Sequence, residues 1–197
     1  MAEPADPDSQ LEELCRILNH FKVGYIVFGS HVARLNGLPL ETIDVDVVPA
    51  RLTDNLTRLA EALNLLRPRW RVEGIPNGMK IDGGLEARHF LGDSAAVGLV
   101  TRLGPIDIVL EPRGFEAGYT ALIAKATTVR RGDIEIPVGA LADLIRSKEL
   151  LRRKTSNTSP RSTTTSPNSL LARNSRLRPP SSPSRSGSCT DPRHRPL

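Results

Sequence analysis

Apolar residues recur at Leu11, Leu14, Cys15 and Leu18, the i, i+3, i+4, i+7 spacing of one helix face, so a helix is expected from Gln10 onward. Cys15 falls on the buried face and reads as a core residue rather than a reactive thiol. Residues 25–28 form a short apolar strand that runs directly into Gly29-Ser30, and 31–36 read as a short helix stopped by Gly37 and Pro39. Residues 42–48 read as a strand. Leu52, Leu56, Leu59, Leu63 and Leu66 mark a long amphipathic helix that ends before Pro68. Further strands are expected near 70–73, 85–91, 95–101 and 106–110, with the glycine-rich stretch 76–84 as a turn or mobile loop. Residues 115–126 read as a helix, 127–130 and 134–138 as a hairpin around Gly132-Asp133, and 140–154 as the last helix. Strands this closely spaced are mostly antiparallel, and the helices precede and interrupt them. The expected class is α+β, a mixed and mostly antiparallel sheet with flanking helices, rather than a regular βαβ array.

The pattern divides the chain into three parts. Residues 1–9 read as disordered, 10–154 as one domain with enough Leu, Val, Ile and Ala for a core, and 155–197 as a disordered tail. Ser, Thr, Pro and Arg make up 31 of the last 43 residues, a composition that buries too little apolar surface to offset the entropy of ordering. Charge follows the same division. The net +5 arises in the tail, with seven Arg and one acid, while 1–154 carry 20 basic and 21 acidic residues. A case for nucleic-acid binding from charge therefore applies to the tail alone. No apolar run approaches the roughly 18 residues of a membrane span, and the acidic, polar N-terminus is no secretory signal. Cys15 and Cys189 make neither a disulfide framework nor a zinc site. The expectation is a cytoplasmic protein without a membrane partner.

The candidate chemistry lies in three acids. On a strand, residues i and i+2 share a face, so Asp44 and Asp46 point together while Ile43, Val45 and Val47 point into the core. Adjacent carboxylates repel and raise one another's pKa unless a cation or strong donors balance them. Asp107 projects from a strand whose other face carries Ile106, Ile108 and Leu110, and a lone acid there is costly without a partner. Mg²⁺ shared by Asp44, Asp46 and Asp107 supplies one, since this hard ion takes one or two carboxylates plus substrate phosphates. A metal pair in such a site activates an attacking oxygen and steadies a leaving pyrophosphate. Gly29 permits close approach of a phosphate, and Ser30 offers either a phosphate contact or a helix N-cap. Lys148 falls within the stripe formed by Leu141, Leu144, Ile145 and Leu151, where it either snorkels to solvent or meets an internal anion such as an NTP triphosphate. The competing reading of the acids is a solvated strand end. His31 and His89 lack neighbours at metal-ligand spacing and read as structural or surface residues, although His31 could reach a substrate from its short helix.

Three stretches together carry a family resemblance: YIVFGSHVARLNGLPLETIDVDVV at 25–48, GPIDIVL at 104–110 and IPVGALADLIRSKELLRRK at 136–154. Over roughly 10–154 the chain resembles the minimal nucleotidyltransferase family of the DNA polymerase β-like superfamily, and most closely the nucleotidyltransferase toxins of bacterial toxin–antitoxin pairs. The resemblance implies that Gly29 and Ser30 line the triphosphate site, that Asp44, Asp46 and Asp107 bind Mg²⁺, and that Lys148 contacts the nucleotide. It implies transfer of a nucleoside monophosphate from an NTP, often CTP or another pyrimidine nucleotide, to the 3′ acceptor end of tRNA, which blocks aminoacylation and translation. Relatives modify aminoglycosides or proteins instead, and a catalytically impaired binding relative is a further alternative.

Two departures from the family pattern stand out. Leu40-Glu41 replaces a stretch that often carries an Arg, and Lys154-Thr155 replaces a Lys-Asp pair, after which the family's closing helix is missing. The abrupt change suggests a reading-frame change near codon 155; the competing reading is a basic tail that grips RNA phosphates. Thr42, two residues before Asp44, shares its strand face in this reading. Its phosphorylation would add negative charge beside the metal acids and inactivate the enzyme, in keeping with family toxins neutralised by an antitoxin with kinase activity. The alternative for Thr42 is a β-branched strand residue or a side-chain cap.

Overall fold

A computed structural model describes residues 6–156 of the chain, with side chains described through Arg153. The expected tail falls, but for its first two residues, outside the described residues, as do residues 1–5. The first helix begins earlier than its apolar spacing suggests: α1 spans Pro7–His20, so residues 7–9 are helical. Its start is set by polar chemistry, with Asp6 accepting from the Ser9 amide at 3.1 Å and Pro7 in the first turn. Leu11, Leu14, Cys15 and Leu18 are buried on one face, as their spacing requires. Burial pushes the Cys15 thiol up to about 12, which keeps it protonated and inert.

The strands are β1 (Tyr25–Phe28), β2 (Val45–Pro49), β3 (Arg69–Val72), β4 (Ile75–Lys80), β5 (Ala96–Thr101), β6 (Gly104–Val109), β7 (Thr127–Arg131) and β8 (Ile134–Val138). They form one eight-stranded sheet in the order β4-β3-β5-β6-β2-β1-β8-β7. Pairing is antiparallel except between β2 and β6 and between β1 and β8. The other helices are α2 (Ser30–Leu35), α3 (Thr53–Asn64), α4 (Tyr119–Ile123) and α5 (Leu141–Ser156). The class is the expected α+β, a mostly antiparallel sheet with flanking helices. Val45 pairs with Ile106 and Val47 with Ile108, and all four are buried on the same sheet face. They join Leu14 and Leu18 of α1 and Leu56, Leu59 and Leu63 of α3 in one core. Alternation then sends Asp46 and Asp107 to the opposite face. Among the described residues no helix is long and apolar enough to cross a membrane.

Four expected elements differ, each for a local reason. The strand expected from 42 starts only at Val45, and Ile43 is 80% exposed instead of buried. The Thr42 hydroxyl donates to the Asp44 carbonyl at 2.9 Å, closing a local turn that competes with strand pairing. The stretch 75–80 pairs as β4 despite Pro76 and Gly78, because an edge strand tolerates a missing amide. The strand expected at 85–91 is instead a 3-10 turn over Ala87–Phe90, closed by the Glu86 amide donating to His89 Nδ1 at 2.9 Å. The helix expected at 115–126 shortens to α4, because Gly118 sits at φ +53° immediately before it.

Candidate active site

The β1–α2 turn, the entry to β2 and the middle of β6 bring the three acids together. Asp46 pairs with Asp107 across the parallel β2–β6 ladder and with Phe28 across β1. Asp44 lies just before β2, where Thr42 Oγ1 also approaches its carboxylate, at 3.3 Å. Gly29 turns the chain from β1 into α2 at φ +64°, a left-handed conformation. A Cβ at this position would overlap the Asp46 carboxylate, so Gly29 is required both by its backbone and by the packing of the acid against it. Ser30 opens α2 but makes no cap, since Gly29 holds the N-cap position without a side-chain bond.

Asp46 is titrated by its surroundings. Burial, and then the charges of Asp44 and Asp107, raise its pKa from 3.8 to about 6; Lys148 and Arg71 oppose the shift. Desolvation thus outweighs the mutual repulsion stressed in the sequence reading. Lys148 is exposed on α5 rather than part of a buried stripe. Leu144 is buried, but Ile145 is 51% and Leu151 42% exposed, so the helix shows its apolar flank to solvent. Lys148 lines a cleft of about 240 Å³ together with Phe28, Gly29, Asp46 and Ser147. It also borders a neighbouring groove of about 570 Å³ that includes Ser30, Leu38 and Leu40. Of the three acids, only Asp46 lines the cleft.

Asp44 and Asp107 turn their oxygens to a residue the sequence reading missed. Arg71 of β3 places Nη2 at 2.5 Å from both Asp107 oxygens and Nη1 at 3.7 Å from Asp44 Oδ2. Its signal in the sequence was indirect: Gly98, in mid-strand, marks a close approach by some other group. Among the described residues, no group of three or more His, Cys, Asp or Glu side chains is arranged to hold a metal ion. The donor chemistry nevertheless suits one. Two register-paired carboxylates and a third beside them offer hard oxygen donors, and Asp46, partly buried, has no balancing hydrogen bond among those described. His31 is fully buried, with Nε2 3.3 Å from the Pro7 carbonyl; it ties α2 to α1 rather than facing a substrate. His89 belongs to the 3-10 turn and packs edge-on against Trp70.

No family model matches the chain, and no curated protein matches it. Solved structures do. One is the crystal structure of a proposed nucleotidyltransferase from Thermotoga maritima, at a TM-score of 0.51 and 17% identity, over 75% of this chain and 86% of that one. Another is a lincosamide antibiotic adenylyltransferase bound to lincomycin, at a TM-score of 0.49 and 13% identity, over 79% of this chain and 100% of that one. The chain therefore shares the fold of the Thermotoga maritima structure.

Proposed function

We propose that the protein is a Mg²⁺-dependent nucleotidyltransferase that moves a nucleoside monophosphate from an NTP, CTP or another pyrimidine nucleotide, to the 3′ end of tRNA, and so acts as a growth-arresting toxin. The observation that carries the transferase reading is the pairing of Asp46 with Asp107 across parallel strands, with Asp44 and the Gly29–Ser30 turn at the same place. Asp44, Asp46 and Asp107 would hold the metal. A Mg²⁺ held by them would supply positive charge to balance the triphosphate and the leaving pyrophosphate. Gly29 lets a phosphate approach the backbone closely, Ser30 offers a hydroxyl donor, and the Lys148 ammonium meets triphosphate charge from the cleft wall. Asp46, once ionised, balances the cations that gather around it.

The acceptor rests on the sequence resemblance. It is tested by incubating the protein with α-labelled CTP and UTP, total tRNA, and tRNA whose 3′ diol has been oxidised by periodate. Label on intact tRNA but not on oxidised tRNA is expected. Label on an aminoglycoside supplied in parallel, with none on tRNA, sinks the tRNA reading.

Regulation by a cognate antitoxin with kinase activity is part of the same proposal. The Thr42 hydroxyl is buried against Asp44, bonded to its carbonyl and near its carboxylate. A phosphate on that oxygen removes the hydrogen bond and sets about two negative charges beside a metal acid. Thr42→Glu is expected to lose transfer activity; a fully active Thr42→Glu protein refutes this part.

A further inference from the structure

Arg71, Gly98, Asp107 and Asp46 follow one another across β3, β5, β6 and β2. Gly98 pairs with Asp107, Asp107 pairs with Asp46, and Arg71 comes one residue after the Trp70–Leu99 pair. A register shift between Trp70 and Val72 lies at Arg71, and such bulges re-aim side chains. The guanidinium crosses β5 over Gly98 to reach Asp107, two strands away, and Asp44 at the entry to β2. A Cβ at Gly98 would stand 3.0 Å from Arg71 Nε, 3.3 Å from Nη2 and 3.3 Å from Asp107 Oδ1. Gly98 is not in the left-handed region, so its role is space rather than backbone freedom.

We propose that Arg71 is a built-in counterion that occupies the carboxylate site in the metal-free protein and must leave its seat over Gly98 when a divalent cation binds. The inference rests on the metal-site reading above. An arginine bonded to both oxygens of one acid and paired with a second neutralises the repulsion that a cation would otherwise relieve. The side chain is 39% exposed, so it has solvent to swing into. Occupancy by Arg71 lowers apparent metal affinity, since only the vacated fraction of molecules can bind. Arg71 is thus a positioning residue that holds Asp107 and Asp44 together until the metal arrives.

The test uses the full chain and Mn²⁺ alone, titrated by electron paramagnetic resonance. Arg71→Gln is expected to tighten Mn²⁺ binding about tenfold. Gly98→Val keeps the arginine charge but removes its seat, and is expected to tighten binding in the same direction, with Gly98→Ala intermediate. In the unmodified protein, phenylglyoxal is expected to modify Arg71 faster, by peptide mapping, in saturating Mn²⁺ than without metal. Equal Mn²⁺ affinity in the original protein and its Arg71→Gln variant overturns the proposal and leaves the metal site standing. An Arg71 modification rate unaffected by Mn²⁺ does the same. If neither the original protein nor any variant binds Mn²⁺, the metal-site reading falls and this inference falls with it.

Discussion

Asp46 sits in conflicting surroundings: it is partly buried, it has two acids for neighbours, and only Lys148 and Arg71 favour its charge. Its folded-state pKa of about 6 lies above the ordinary 3.8, so the folded protein binds this proton more tightly than the unfolded chain. The linkage sign follows. Stability is greatest below the unfolded value and is lost as pH rises from about 4 through about 6. In metal-free buffer at pH 8, Asp46→Asn is expected to be more stable than the original protein by up to about 3 kcal/mol. The difference should vanish below about pH 4. Urea denaturation at the two pH values checks this; a variant less stable at pH 8 contradicts it. Asp46 and Asp107 were legible in the sequence, because alternation with Val45, Val47, Ile106 and Ile108 fixes the face they share, whereas Asp44 precedes the strand and is not placed by alternation. Arg71 was not, because its partner Asp107 is 36 residues away and nothing local announces the contact.

Elements whose burial follows one period could be read from the chain. The stripes of α1 and α3 and the β7–β8 hairpin are of this kind. Elements fixed by single polar contacts could not. The late start of β2 depends on one Thr42 hydroxyl, and the 3-10 turn at Ala87–Phe90 on one His89 nitrogen, while Phe90 and Leu85 still bury as a strand's residues would. Asn55 shows how much one amide can hold. It is 2% exposed, donates to the Gly24 and Ala50 carbonyls at 2.9 Å each, and accepts from the Gly24 amide at 2.6 Å. It therefore clips α3 to the segments that begin β1 and follow β2, the two strands that carry the acids' frame. Asn55→Ala strands the Gly24 amide and the Ala50 carbonyl, while the Gly24 carbonyl keeps the Ala50 amide at 2.9 Å, and is expected to cost roughly 2 kcal/mol in chemical denaturation. A loss under about 1 kcal/mol would mean that water replaces the amide.

At the scale of the whole molecule, the core helices cover one sheet face and leave the acids on the other. The side chains that line the cleft come from parts of the chain far apart in sequence: the β1–α2 turn, β2, residues 95–96, residues 109–113 and α5. This explains why the sequence could name Gly29, Asp46 and Lys148 yet place Lys148 within a buried stripe, where the structure has it exposed. The helix period fixes which residues share a face, but not how much of that face another element covers. Residues 1–154 are nearly neutral, so attraction for a polyanion must come from the local placement of Arg71, Lys148 and a bound metal, or from the arginine-rich stretch beyond. Under the proposed function this acid face cleaves an NTP between its α- and β-phosphates. The most direct test incubates the full chain with Mg²⁺, total tRNA and each NTP labelled at either the α- or the γ-phosphate. Label from the α-position should become acid-precipitable with release of pyrophosphate, label from the γ-position should not, and Asp46→Ala and Asp107→Ala should abolish the transfer. Absence of α-transfer with every NTP, transfer of γ-label, or undiminished transfer by Asp46→Ala would contradict the account.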